Sequence, residues 1–254
     1  MKLLTSLKAH KEKPVVIKGI HAVEEALTAG KTIEKIFIQQ GNRGATISSL
    51  IKIARGKEIP VQNVPEKKLQ QLGAAHQGIA AVISPISFFK TEDIIAQAYE
   101  LGELPLLLIC DRITDVRNFG AIARTALAAG AHAIIIPQTE TASINPEAVK
   151  SSAGALMKLP VCREKNLVQA IKQLKLNGIQ ILAAESTASK FIFEADLKIP
   201  SAIIFGSEGE GISKDLLKLA DEIVKLPMGE KFDSYNVSVA AGMILYEAMK
   251  QRLS

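Results

Sequence analysis

The sequence predicts an α/β protein in two units, over residues 1–86 and 104–254, joined by a linker over residues 87–103. Three observations support this prediction. The chain of 254 residues is 48% hydrophobic, which is enough for a sizeable core. Strand-like and helix-like segments alternate along both units. The charge also changes, from 13 basic against 6 acidic side chains in residues 1–86 to 18 against 20 in the remainder.

The first unit consists of about 70 residues of short alternating elements, with Gly30 ending its first helix. Its excess of basic side chains indicates a polyanionic partner, although a lysine-rich surface without a partner stays an open alternative. The predicted strands are 15–17, 36–38, 59–64 and 79–83, and the predicted helices are 21–29, 47–55 and 66–72.

The second unit opens on the unbroken apolar run 104–110, which is typical of a parallel strand buried on both faces. The further predicted strands are 133–136, 179–184, 202–205 and 222–226, and the predicted helices are 121–129, 145–152, 166–176, 212–220 and 237–252. This order predicts an open parallel sheet covered by helices on both faces. Ligands of such sheets bind beyond the carboxyl ends of the strands, so the loops at those ends are the candidate site.

Several protein classes are excluded by composition. The longest nearly uncharged stretch, around 126–139, is shorter than the ~20 apolar residues of a membrane span. The first thirteen residues contain no apolar block of the kind that signal peptides have. Cys110 and Cys162 stand alone without metal-ligand spacing. We therefore expect a cytoplasmic protein that binds neither membranes nor metals.

The loop after the first strand of the second unit contains two candidate residues. Asn118 lies at the entrance of the predicted helix, where its side chain can accept from free backbone N–H groups. Arg124 follows in a helix rich in alanine, which permits close helix packing. A large guanidinium among these alanines indicates a functional position for Arg124. The simpler interpretation, which stays open, is that Arg124 is a surface arginine and Asn118 an ordinary helix cap.

The second loop, GSEGEG at 206–211, is a glycine-rich turn between a strand and a helix. It lacks the Gly-Lys-Ser/Thr of a P-loop, and its spacing and late position exclude a nicotinamide-binding fingerprint. Because Glu208 and Glu210 would repel a pyrophosphate, the loop suits a cationic adenosine ligand, and S-adenosylmethionine (AdoMet) is one.

In the third loop, Ser234 and Asn236 crowd the start of the last helix, where free N–H groups favour an anion such as an RNA phosphate. The helix itself carries Val239, Met243 and Tyr246 among small residues. Core burial and a dimer contact both fit this pattern.

The segments NFGAIARTA, IIFGSEGEGI and LPMGEKFDSYNVSVAAG, in this order, resemble the three motifs of the SpoU (TrmH-type) RNA ribose 2′-O-methyltransferases. The resemblance covers 104–254 and implies a SPOUT domain with a deep trefoil knot, AdoMet bound in the knot, and a homodimer whose two chains build each site. Near the amino terminus, KGIHAVEEAL and HQGIAAVI resemble the small RNA-binding domain, related to ribosomal proteins, of the RlmB-like branch. That branch methylates a guanosine in the peptidyl-transferase P-loop of 23S rRNA.

Residue by residue, the resemblance implies a catalytic group and an AdoMet-binding group. The catalytic residues are Asn118, Arg124, Glu208, Ser234 and Asn236, and the AdoMet-binding residues are Gly206, Leu226 and Tyr235 with their neighbours Phe205, Met228 and Ala184. Two positions depart from the usual third motif: Glu230 stands where glycine is more common, one position after Gly229, and Tyr235 stands where leucine is common.

We expect Arg124 to contact the ribose 2′-OH and either to help remove its proton or to stabilise the developing alkoxide. Three alternatives are weighed: the same chemistry on tRNA, the same chemistry on another rRNA nucleotide, and an rRNA-binding protein without catalysis. RNA-facing candidates in the first unit are Lys18, His21, Arg43, Lys52, Arg55 and Gln77. Ordinary solvated surface is the simpler interpretation for each of them, and His21 could instead cap a helix.

Overall fold

The computed structural model describes residues 15–42, 44–229 and 233–254. They form a four-stranded mixed sheet and an eight-stranded parallel sheet, which confirms the predicted α/β class with a parallel sheet. The strands are β1 (Val16–Lys18), β2 (Ile33–Gln39), β3 (Val61–Val64), β4 (Ile79–Ile83), β5 (Phe88–Phe89), β6 (Leu106–Cys110), β7 (Ala133–Pro137), β8 (Val161–Glu164), β9 (Gln180–Ala184), β10 (Lys190–Phe191), β11 (Ser201–Phe205) and β12 (Glu222–Lys225). The helices are α1 (Ile20–Thr28), α2 (Ala45–Gly56), α3 (Glu66–Leu72), α4 (Thr91–Glu100), α5 (Val116–Ala128), α6 (Pro146–Ser151), α7 (Leu167–Leu176), α8 (Lys214–Leu217) and α9 (Val237–Leu253).

The small sheet has the strand order β1-β4-β2-β3. Strand β4 runs antiparallel to β1 and β2, whereas β2 and β3 are parallel. Helices α1 and α2 bury Val23 and Leu50 in the core on one face, and α3 buries Leu69 in a smaller cluster with Val64 and Val82. Each strand and helix predicted for the first unit is present, with ends shifted by up to three residues.

The large sheet has the order β10-β12-β9-β11-β6-β7-β8-β5, and all its neighbouring strands are parallel. One core cluster contains Phe119 of α5 and Ile244 of α9. The other contains Ile94 of α4 and Ile171 of α7. The central strand β6 contributes alternate residues to both clusters, so it is buried on both faces, as its apolar run predicts.

The predicted linker over residues 87–103 is largely ordered structure of the second unit. Phe88 and Phe89 form β5, which pairs in parallel with Val161 and Cys162 of β8. Helix α4 follows, and its residue Ile95 is buried. The sequence did not predict β5 or β8 because each offers two apolar residues next to polar ones, which is too short a run to stand out.

The two units contact each other around Glu34, a β2 residue that is only 5% exposed. Its carboxylate accepts a hydrogen bond from Ser143 Oγ at 2.7 Å, and its carbonyl oxygen accepts one from Arg163 Nη1 at 2.8 Å. The Arg163 guanidinium lies 3.5 Å from the centre of the Phe88 ring. Burial lowers the pKa of Arg163 to about 10, so it stays protonated at neutral pH. This contact brings the small sheet against the β5–β8 edge of the large one.

Helix α9 packs against α5 through small residues: a Cβ built at Gly242 would lie 3.7 Å from Thr125 Cγ2. Its Val239, Met243 and Tyr246 are exposed, with Tyr246 at 62%. Core burial is therefore wrong for these three side chains, and an apolar stripe remains on the surface. Across the described parts of the chain, the helices are too short or too polar to cross a membrane.

Both thiols are expected to be unreactive in the folded protein. Cys110 and Cys162 are buried strand residues, and burial raises the pKa of each thiol to about 12. Since the unfolded thiols ionise near 9.0, the contribution of these groups to stability is complete below that pH and is lost as the pH rises towards 12. Ellman's reagent at pH 8 should label neither cysteine in the native protein and both in guanidinium. Rapid native labelling of either one would contradict the described burial.

Candidate functional site

The candidate site lies where four neighbouring parallel strands end. Strands β12, β9, β11 and β6 are adjacent in this order, so the loops that follow them leave the same edge of the sheet. A pocket of about 630 Å³ opens between three of these loops and the start of α9. All six predicted AdoMet-binding residues line it: Ala184, Phe205, Gly206, Leu226, Met228 and Tyr235.

The glycine-rich loop after β11 closes on itself tightly. Ser207 N–H donates to the Gly211 carbonyl at 3.1 Å, and Gly211 N–H donates back to the Ser207 carbonyl at 3.0 Å. A Cβ built at Gly206 would overlap the Gly211 carbonyl group and the Ile212 nitrogen. The close approach of these backbone segments requires glycine at position 206, and it forms one wall of the pocket.

Three predicted catalytic side chains meet beside this loop. The Glu208 carboxylate accepts hydrogen bonds from Asn118 Nδ2 and, at 2.9 Å, from Asn236 Nδ2. Asn236 Nδ2 also lies 3.2 Å from Asn118 Oδ1. The network joins the loops after β6, β11 and β12, whose residues are far apart in sequence. It holds the entrances of α5 and α9 against the glycine-rich loop.

Helix capping explains the orientation of the two asparagines. Asp115, and not Asn118, caps α5: its carboxylate accepts from the N–H groups of Arg117 at 2.8 Å and Asn118 at 2.9 Å. The bond from Asn118 N–H lowers the pKa of Asp115. The helix begins at Val116, five residues earlier than predicted, so the Asn118 side chain is free to reach Glu208. Of the two residues Ser234 and Asn236 that crowd the start of α9, Asn236 caps the helix, by accepting from Ser238 N–H at 2.9 Å.

The two other predicted catalytic residues, Ser234 and Arg124, lie outside this hydrogen-bond network. Ser234 lines the pocket. Arg124 lies on the exposed side of α5, six residues beyond Asn118, and makes no hydrogen bond or ion pair with any residue that the structure describes. The chain therefore does not bring Arg124 into the network of Asn118, Glu208 and Asn236.

Sequence reasoning identified Glu208 and Glu210 but missed other polar residues that line the pocket. Glu185 and Ser186, which directly follow β9, also line it, and Glu185 Oε2 lies 3.2 Å from the position of a Cβ at Gly211. The strand-end rule that selected the other loops could have found them. With Glu208, Glu210 and Asp233, the pocket carries four carboxylates against Lys225, a balance that favours a cationic ligand. Among the described residues, no group of His, Cys, Asp and Glu side chains is arranged to hold a metal.

The RNA-facing candidates of the first unit fall into two places. Lys18, His21 and Gln77 lie at one end of the small sheet, whereas Lys52 and Arg55 are exposed on α2. Gln77 has a structural contact there, since its side-chain oxygen accepts from Ile20 N–H at 3.0 Å at the start of α1. His21 is exposed and lies 3.9 Å from Glu24. Arg43, like Glu230 of the third motif, lies outside the described residues.

Two family descriptions match this chain. The SpoU rRNA Methylase family matches residues 105–246, and the RNA 2′-O ribose methyltransferase substrate-binding family matches residues 16–89. Together they cover both units. The first match contains the whole of the strand-end pocket.

Similar proteins match over nearly the full length. A protein of Staphylococcus saprophyticus, described as belonging to the TrmH family of tRNA/rRNA methyltransferases, is 37% identical over 239 residues, which are 94% of this chain and 96% of that protein. The SpoU methyltransferase AviRb from Streptomyces viridochromogenes, crystallised with AdoMet, has a TM-score of 0.61 at 24% identity over 94% of this chain and 90% of its own. The crystal structure of an RNA 2′-O ribose methyltransferase has a TM-score of 0.56 at 26% identity, covering 96% and 90%.

Proposed function

The chain belongs to the SpoU rRNA methylase family, and from this premise we propose that it methylates a guanosine ribose in the peptidyl-transferase P-loop of 23S rRNA. Membership makes it an AdoMet-dependent RNA 2′-O-methyltransferase. The observation that carries the proposed site is the convergence of the predicted AdoMet residues and of Asn118, Glu208 and Asn236 at one edge of the sheet. The choice of 23S rRNA rests on the segments KGIHAVEEAL and HQGIAAVI of the substrate-binding unit.

We place AdoMet in the strand-end pocket because the residues there fit it. The volume of about 630 Å³ lies within the usual range for small-molecule sites. Phe205, Leu226 and Met228 offer apolar surface for an adenine, and the Gly206 backbone permits close approach. The carboxylates around the pocket suit a sulfonium cation. When bound, AdoMet supplies an electrophilic methyl group. The trefoil knot around this site stays a prediction.

We propose that Arg124 acts on the RNA from across a homodimer. Within one chain it is exposed and separate from the network of Asn118, Glu208 and Asn236. Helix α5 packs against α9, whose exposed Val239, Met243 and Tyr246 form an apolar stripe that a second copy could cover. A dimer through this surface would bring Arg124 of one chain towards the pocket of the other.

At that position Arg124 would orient the ribose 2′-OH for in-line attack. A guanidinium remains charged in proteins, so it serves best as a donor that stabilises the developing alkoxide and lowers the cost of losing the proton. Ser234, near the start of α9, would bind an RNA phosphate. Asn118 and Asn236 would hold the helix entrances in place through Glu208. The cytoplasmic location also stays a prediction.

The proposed substrate is tested by methyl transfer from labelled AdoMet to unmodified 23S rRNA, 16S rRNA and bulk tRNA, with the modified nucleotide mapped. We expect label at one guanosine of the 23S P-loop. Label elsewhere in rRNA, or on tRNA alone, would keep the reaction and reject the substrate. The tRNA outcome is the second candidate, because the description of the 37% identical relative names both tRNA and rRNA.

RNA binding by the first unit is expected to depend steeply on salt, since its basic side chains would contact phosphates. Replacing Lys52 and Arg55 with glutamine should reduce the slope of log K against log salt by about one unit per residue. Lys172→Gln, an exposed lysine on α7 in the second unit, serves as the matched control and should leave the slope unchanged. Filter binding across a salt series measures this, and a flat response of the unmodified protein would remove the phosphate interpretation.

A further inference from the structure

Arg112, which follows β6 directly, has a backbone conformation that side chains rarely adopt. Its φ is 56°, in the left-handed region that glycine occupies without strain. Strain of this kind persists only where the surrounding contacts maintain it, and it concentrates at functional sites. The contacts that maintain it here come from the guanidinium.

The Arg112 guanidinium donates hydrogen bonds to two neighbouring residues of the glycine-rich loop. Nη1 donates to the Glu210 carboxylate, and Nη2 donates to the Gly211 carbonyl at 3.2 Å. Nε lies 3.4 Å from Asp111 Oδ1. Asp111 is itself buried, and its other oxygen accepts from Ser213 N–H at 2.7 Å. The end of β6 is thereby tied to the glycine-rich loop on both sides of its last glycine.

The bonded carbonyl also shapes the pocket. Gly211 O is the group that accepts from Ser207 N–H to close the loop, and it faces the position where a Cβ of Gly206 would stand. Any shift of this carbonyl therefore moves the pocket wall at Gly206 and Ser207. Arg112 itself is absent from the described residues that line the pocket, so its influence on a ligand is indirect.

We propose that Arg112 is a positioning residue for the AdoMet pocket, which it maintains by fixing Gly211 and Glu210. This inference rests on the proposed placement of AdoMet at the strand ends. Glycine at position 112 would relieve the backbone but would make none of the four hydrogen bonds of the arginine side chain. The contacts of the arginine side chain thus offset the strained backbone at position 112, and these contacts control the shape of the pocket.

The test is Arg112→Gly in the full chain, with AdoMet affinity measured by calorimetry and amide exchange measured without ligand. We expect the AdoMet Kd to rise about fivefold or more, because the pocket loses its preorganisation. The Ser207 and Gly211 amides should exchange faster, while Tm shifts no more than in the control. Arg112→Lys should give an intermediate Kd, since a lysine lacks the planar fork that reaches two acceptors.

Glu140→Gly is the matched control, because Glu140 has the same φ of 56° and is exposed in the loop after β7. It should leave the Kd unchanged. An Arg112→Gly protein with the Kd of this control would overturn the proposal. So would a general fall in Tm with faster exchange throughout the large sheet, which would indicate a role in overall stability. Gly206→Ala distinguishes a failure of this inference from a failure of the proposed AdoMet site. If Gly206→Ala also binds AdoMet with normal affinity, the proposed placement of AdoMet is wrong as well.

Discussion

Replacing Arg124 with alanine is expected to lower methyl transfer about a hundredfold or more while AdoMet binding stays within about twofold of the unmodified protein. The reason is positional. Arg124 is exposed on α5, outside the network of Asn118, Glu208 and Asn236 and absent from the lining of the pocket. Its loss should remove the contact with the ribose 2′-OH without altering the cofactor site. Single-turnover methyl transfer and calorimetry measure the two quantities.

Arg117→Ala is the matched control for this variant, since Arg117 is also an exposed arginine of α5, 3.7 Å from Asp115. It should retain most of the methyl-transfer rate. Arg124→Lys should recover only part of the loss, because a lysine keeps the charge without the planar donor geometry. Full turnover by Arg124→Ala would show that Arg124 is an ordinary surface arginine.

Gly206→Ala is expected to weaken AdoMet binding about tenfold or more. The added Cβ would overlap the Gly211 carbonyl group and the Ile212 nitrogen, which are backbone and cannot turn aside as a flexible side chain could. The loop must therefore move, and the pocket wall moves with it. Gly56→Ala is the control, because a Cβ there meets nothing within 4 Å. An unchanged AdoMet Kd in Gly206→Ala would place the cofactor elsewhere.

The two variants together test whether the site is shared between chains. If Arg124 acts on the partner's pocket, co-expressed Arg124→Ala and Gly206→Ala chains form heterodimers in which one intact pocket faces one intact arginine. At an AdoMet concentration too low to fill the Gly206→Ala pocket, such mixtures should regain methyl transfer that neither variant shows alone. If Arg124 acts within its own chain, both sites of the heterodimer are defective, and the mixture stays inactive.

Most of the secondary structure was predictable because burial leaves a pattern in the sequence. Strand β6 is buried on both faces, so it reads as an unbroken apolar run. Strands β5 and β8 lie at one edge of the large sheet and keep only short apolar pairs, so they left no comparable pattern. The start of α5 was misplaced because its first turn contains polar Arg117 and Asn118, which interrupt the apolar spacing.

The chain's own sequence determined the types of residue at the site: glycines where backbones meet, acids suited to a cation, and asparagines at helix entrances. It also determined the family, through three ordered motifs. Only the tertiary structure decided which of these residues meet, because the order β12-β9-β11-β6 brings together loops that are remote along the chain. It decided that Asn118 and Asn236 share Glu208 while Arg124 lies apart. It also decided that Arg112 ties two loops together, since contacts between distant segments depend on packing, which local periodicity does not encode.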